Sequence, residues 1–201
     1  MKLMSFRDES GREGWGIVEG DKVADLSATA PTVRAALASG KPITASAGAP
    51  RLELAALTYL PPIPNPDKII CVGLNYLSHI LEGGREPPKM PTIFTRWANT
   101  QVGHRQPMIR PNASPTFDYE GELAFVVGTR CRTVTESDAM SVVAGYSCYN
   151  DGSIREWQRH STQFTPGKNF PATGGFGPYL VTQDEAGDIA KANLVTRLNG
   201  A

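Results

Sequence analysis

Phe117-Asp118-Tyr119-Glu120-Gly121-Glu122-Leu123-Ala124-Phe125-Val126-Val127-Gly128 is the stretch on which the fold and the chemistry both turn. An apolar run that closes on glycine predicts a β-strand. Two carboxylates open it, and residues i and i+2 of a strand share a face. Glu120 and Glu122 therefore project side by side at the edge of an apolar run. Like charges that close repel, and burial adds a desolvation cost. A hard divalent cation held by oxygen ligands relieves both.

Outward from that strand, Thr135–Gly145 is predicted helical, with Thr135 as N-cap and Asp138 in the matching position of a capping box. Tyr146–Asn150 reads as a further strand ending on Asp151. An acid at a strand end is a common ligand position, and equally a common helix cap. Arg155 and Gln158 follow, on one face if the segment is helical. Lys168 lies in Pro166-Gly167-Lys168-Asn169-Phe170-Pro171, a context in which lysine ordinarily faces solvent.

Upstream, Lys68–Gly73 reads as a short buried strand and Thr92–Trp97 as strand-like. Between them, Asn75–Glu82 suits a short helix stopped by Gly83-Gly84. His79 and Glu82 sit at i and i+3, neighbours on one helix face. A carboxylate that orients an imidazole makes a general base. The same spacing also suits a surface histidine beside a solvated glutamate.

The chain has 201 residues and no net formal charge, which offers nothing to nucleic acid or to an anionic membrane surface. No run approaches the roughly 18 apolar residues that span a bilayer. The start of the chain meets Arg7, Asp8 and Glu9 at once, so no secretory signal is expected. Cys71, Cys131 and Cys148 are odd in number and lack CxxC spacing. Reduced thiols in a cytoplasmic protein are the expectation, without disulfides or a thiolate zinc site. Residues 1–62 form a small leading unit and linker. Within it a hairpin turns at Gly20-Asp21, a short helix covers Pro31–Ser39, and the stiff run Pro61–Pro66 is the linker. Residues 63–201 form the larger unit.

The ordered set Gly73-Leu74-Asn75-Tyr76-x-x-His79-x-x-Glu82, Asp118-Tyr119-Glu120-Gly121-Glu122, Asn150-Asp151-x-x-x-Arg155-x-x-Gln158 and Gly167-Lys168-Asn169-Phe170, with Gly177-Pro178, resembles the fumarylacetoacetate hydrolase family. The resemblance implies an α+β fold, with a curved mixed sheet rolled into a barrel-like sandwich and a small β-rich N-terminal domain. It implies that Glu120, Glu122 and Asp151 hold Mg²⁺ (or Mn²⁺ or Ca²⁺). Lys168 corresponds to the family's active-site lysine, Arg155 and Gln158 to its substrate-contacting pair, and His79 with Glu82 to a catalytic dyad on a mobile helix. The family's eukaryotic namesake has a fourth acid where this chain has Val72, so three protein ligands are expected.

The implied activity is hydrolysis of a C–C bond in an acylpyruvate-type 2-oxo acid, as in aromatic catabolism, by a homodimer. Oxaloacetate decarboxylation, and isomerisation or hydration of unsaturated 2-oxo dioic acids, follow the same enolate logic. The family's domain continues past the turn at Asn199-Gly200. The resemblance thus implies a chain lacking the C-terminal part, and with it the alternative of a non-catalytic member.

Overall fold

The computed structural model describes residues 1–84 and 86–201. Its strands are β1 (Lys2–Arg7), β2 (Glu13–Glu19), β3 (Lys22–Asp25), β4 (Arg51–Glu53), β5 (Thr58–Tyr59), β6 (Ile69–Gly73), β7 (Thr92–Arg96), β8 (Gln101–Val102), β9 (Gly121–Val127), β10 (Val143–Asp151) and β11 (Gly174–Thr182). Short helices α1 (Val33–Ala38), α2 (Leu77–Glu82), α3 (Arg155–Gln158), α4 (Thr165–Lys168) and α5 (Gln183–Ala186) connect them. The architecture is α+β and dominated by sheet.

One sheet runs in the order β4-β3-β2-β1-β11-β10-β9, with β5 on β1 and β8 on β11. It is mixed, because β8 joins β11 in parallel while its other pairs are antiparallel. β6 and β7 form a separate antiparallel pair, with Cys71 opposite Phe94.

The leading hairpin follows from its turn. Glu19 pairs with Lys22, leaving a two-residue loop in which Gly20 takes φ +66°, a conformation glycine adopts without steric cost. Helix α1 is capped by Thr32, whose Oγ1 accepts from Ala35 N at 3.1 Å, and it buries Val33 and Ala36. β1 is buried on both faces because it is a central strand: it pairs with β2 on one side and, through Leu3 and Leu180, with β11 on the other.

The strands before and after the Pro61–Pro66 linker thus share one sheet and one core. Leu3, Trp15, Leu26 and Val33 pack with Ile63, Phe176 and Leu180, and Ala124, Val126 and Tyr149 lie against them. Trp15 satisfies its buried indole N–H by donating to Ala30 O at 2.7 Å.

The helix expected over Thr135–Gly145 is replaced. Glu136–Val142 forms a 3₁₀-helix, and β10 already begins at Val143. Gly128 N donates to Val142 O at 2.9 Å, which ties this segment to the end of β9, and Val143 pairs with Val127. Cross-strand pairing takes the β-branched residues that a helix would have needed. Thr135 does not cap through its side chain; its Oγ1 donates to Asp138 Oδ2 at 2.7 Å. Among the described residues no helix is long and apolar enough to cross a membrane.

Candidate functional site

β9 and β10 run side by side into the site, with Tyr149 opposite Glu122 and Asn150 opposite Gly121. One step further, Asp151 N donates to Glu120 O at 2.8 Å, and Glu120 N donates to Asn150 Oδ1 at 3.1 Å. This register makes Glu120 and Asp151 neighbours, with Glu122 one pleat along. The chain then turns at Gly152, where a Cβ would meet Thr173 O at 2.2 Å, so only glycine fits there. A bridge between Asp118 and Ser153 closes this end of the ladder and leads into α3.

Lys168, the last residue of α4, is buried, with 1% of its side chain exposed. Its Nζ donates to Glu120 Oε2 and to Asp151 Oδ2, each at 2.6 Å. The general expectation of a solvent-facing lysine fails because α4 packs tightly on α3. Gly167 O accepts from Ile154 N at 2.9 Å, and a Cβ on Gly167 would lie 2.4 Å from Gln158 N. The ammonium also lies 5.2 Å from the centre of the Phe94 ring.

Arg155, on α3, donates to Asp118 Oδ2 through Nε at 2.8 Å and Nη2 at 2.6 Å. Its Nη1 reaches Glu120 Oε1 and, at 3.0 Å, Gln158 Oε1. Glu120, Asp151, Lys168, Arg155 and Gln158 are therefore joined in one hydrogen-bonded network. Glu156, on the same helix, accepts from Ser114 and Thr116 and pins the segment before β9 onto α3.

Glu122 stands beside this network without a cation of its own: among the described residues no ion pair reaches it, while Glu120 has two. Burial, then the charges of Asp151 and Glu120, push its carboxyl up to about 7 against the opposing pull of Lys168. Burial also works to raise Glu120, but Lys168 and Arg155 outweigh it and hold that carboxyl below its ordinary value. Cys71, on β6, faces the same charges; burial, followed by Asp151, pushes its thiol up to about 12, so it stays neutral.

His79 and Glu82 are both exposed on α2, and among the described residues no hydrogen bond or ion pair joins them. The start of that helix is nearer the site. Tyr76 is pushed up by burial and by the charge of Glu122, and the missing side chain of Gly73 leaves room for the Phe164 ring.

One functional candidate went unread in the sequence. Arg96, at the end of β7, is buried and donates to Asp151 Oδ1 at 2.5 Å. Fifty-five positions separate the two residues, so no local pattern links them.

Among the described residues no three His, Cys, Asp or Glu side chains are gathered as a ready metal shell. Lys168 lies between Glu120 and Asp151, and Glu122 stands to the side. The donor set still suits a hard dication. The three carboxylates lie near one another at adjacent strand ends without closing into a shell, and burial with the charges of Asp151 and Glu120 holds Glu122 up at about 7.

The family model described as Fumarylacetoacetate (FAA) hydrolase C-terminal matches residues 68–201. The chain belongs to the fumarylacetoacetate hydrolase family. It is 35% identical, along its whole length, to oxaloacetate tautomerase fahd2, mitochondrial, of Xenopus laevis. It spans 67% of that protein and about half (53%) of the Bos taurus protein described as oxaloacetate tautomerase FAHD2A. Among solved structures, the fumarylacetoacetate hydrolase of psychrophilic Exiguobacterium antarcticum superposes with TM-score 0.81 at 33% identity, over 94% of this chain and 69% of that one. Maleylpyruvate hydrolase of Sphingobium sp. SYK-6, in complex with manganese(II) and pyruvate, gives TM-score 0.67 at 26% identity, over 92% and 68%. The fold class read from the sequence is that of these relatives.

Proposed function

We propose that this family member catalyses a metal-dependent enol–keto conversion of a small 2-oxo dioic acid, with oxaloacetate as the substrate. The observation that carries the reading is the trio at the strand ends: Glu120 and Asp151 are paired with buried cations, while Glu122 beside them has no ion pair among the described residues and is pushed by burial and those two acids up to about 7. Such a site gains most from a bound dication. The likeness to proteins described as oxaloacetate tautomerases supports the choice of reaction.

Glu120, Glu122 and Asp151 would hold the ion. When bound there, it supplies Lewis acidity that favours negative charge on the 2-oxo oxygen. Lys168, buried and donating to two carboxylates, adds positive charge to the same cavity and a hydrogen-bond donor for that oxygen. Arg155 and Gln158 bind the distal carboxylate, with Asp118 keeping the guanidinium oriented. In the enol-to-keto direction the oxygen on C2 gives its proton to solvent, its O–H electron pair becomes the C2–O π bond, and the C2–C3 π pair takes up a proton at C3; the reverse direction runs these transfers backwards. His79 delivers the proton to C3, and takes it back in the reverse direction, once α2 is brought against the site.

A second reading is hydrolysis of an acylpyruvate, in which His79 and Glu82 activate water against the C4 carbonyl. The likeness to the manganese-bound maleylpyruvate hydrolase favours it. Binding as a homodimer belongs to either reading. A panel of enol-oxaloacetate, acylpyruvates and unsaturated 2-oxo dioic acids, followed by ultraviolet absorbance with Mg²⁺, separates the two. The expected result is accelerated loss of the oxaloacetate enol band with little acylpyruvate cleavage. Cleavage exceeding enol conversion would replace the first reading with the second.

A further inference from the structure

Asp151 has two carboxylate oxygens, and two buried cations hold them. Lys168 takes Oδ2, and Arg96 takes Oδ1. Arg96 does more than pair. Its Nη1 also donates to Gly152 O at 3.1 Å, its Nη2 to Thr173 Oγ1 at 2.8 Å and its Nε to Thr100 Oγ1 at 3.3 Å. Both threonines are fully buried, and each spends its own hydroxyl hydrogen on a carbonyl, Thr100 on Trp97 O and Thr173 on Phe170 O, both at 2.7 Å. Their lone pairs are therefore left for the guanidinium. The Tyr149 ring covers it, 5.8 Å from centroid to Cζ. A side chain on Gly174 would intrude to 2.9 Å from Nη2, so the space is filled.

A planar fork anchored by three separate segments has no rotamer freedom left to lose, and it passes that rigidity to Asp151. Stability alone is a weak reason for this arrangement, since a buried ion pair adds little over well-packed apolar groups. We propose that Arg96 is a positioning residue for the cation site: it fixes the Asp151 carboxylate so that Oδ2 stays turned toward Lys168 and Glu120. The proposal rests on the reading of Asp151 as a cation ligand.

The test is an electron paramagnetic resonance titration with Mn²⁺ on wild type, Arg96→Lys, Thr173→Val and Glu122→Gln. Circular dichroism melts without metal accompany each titration. Lysine keeps the charge, but one nitrogen cannot reach Asp151, Gly152 and Thr173 together. Folded Arg96→Lys is expected to bind Mn²⁺ about 10–100-fold more weakly, the usual effect of losing a group that orients a ligand. Thr173→Val removes one anchor at nearly constant volume and shifts affinity in the same direction by less. If Arg96→Lys does not fold, Thr173→Val decides.

Unchanged Mn²⁺ affinity in the folded variants, with only a lowered melting temperature, would leave Arg96 a structural support and overturn the proposal. Glu122→Gln identifies a different failure. If it binds Mn²⁺ as wild type does, or wild type binds none, the cation site itself falls and takes the proposal with it.

Discussion

Glu122 is the carboxyl of the site that burial and neighbouring acids push upward, and its titration has a definite sign. Below its ordinary value of 4.5 the carboxyl is neutral in both the folded and the unfolded chain. Between 4.5 and about 7 the unfolded chain has lost that proton while the folded one keeps it. Stability of the metal-free protein therefore falls as pH rises through this window, and the loss is complete above about 7. Urea titrations across this pH range should show a shallower fall for Glu122→Gln than for wild type, and equal slopes would show that Glu122 is not perturbed. A dication needs the ionised carboxylate, so Mg²⁺ affinity is expected to strengthen as pH rises through the same range. The paired acids at 120 and 122 were legible because strand periodicity alone puts them on one face. Lys168 was singled out by the family resemblance alone and Arg96 not at all, because the burial of both depends on partners far along the chain. Nothing next to Arg96 foretells Asp151, and nothing next to Lys168 foretells that α4 packs onto α3.

At the level of elements, the site is made where two antiparallel strands end and two one-turn helices follow. β9 was readable from its apolar run, α1 from the run Pro31–Ser39 with proline at its start, and the first hairpin from Gly20-Asp21. The 3₁₀ segment Glu136–Val142 was not. Its composition suits a helix, and only pairing with β9 turns Val143 into the start of a strand. Helix α2 is the element whose role depends most on movement, since His79 and Glu82 are exposed and unjoined. His79→Ala should leave Mn²⁺ affinity at the wild-type value. It should slow enol conversion by roughly 10²–10⁴-fold if His79 moves the C3 proton, the range typical of a general base. Stopped-flow absorbance on enol-oxaloacetate measures this directly. An unchanged rate would remove His79 from the mechanism and assign the proton to another group.

Across the whole molecule, β1 is the joint. It pairs with the leading hairpin on one side and with β11 on the other, and β11 backs the strand that carries Asp151. We propose that the two sides of the linker unfold together for this reason. Leu3 is fully buried in that joint, and Leu3→Ala should cost about 2–5 kcal/mol. Tryptophan fluorescence and far-ultraviolet dichroism should then shift to the same lower midpoint, whereas two separated transitions would mean that the leading unit melts alone. The account of function stands or falls on a dication acting through the acids at the ends of β9 and β10. Its most direct test follows the decay of enol-oxaloacetate with wild type and Glu122→Gln, in Mg²⁺ and in excess chelator. Wild type with Mg²⁺ is expected to accelerate the decay, and both the chelator and Glu122→Gln are expected to abolish that acceleration. Acceleration that survives both would contradict a role for the dication.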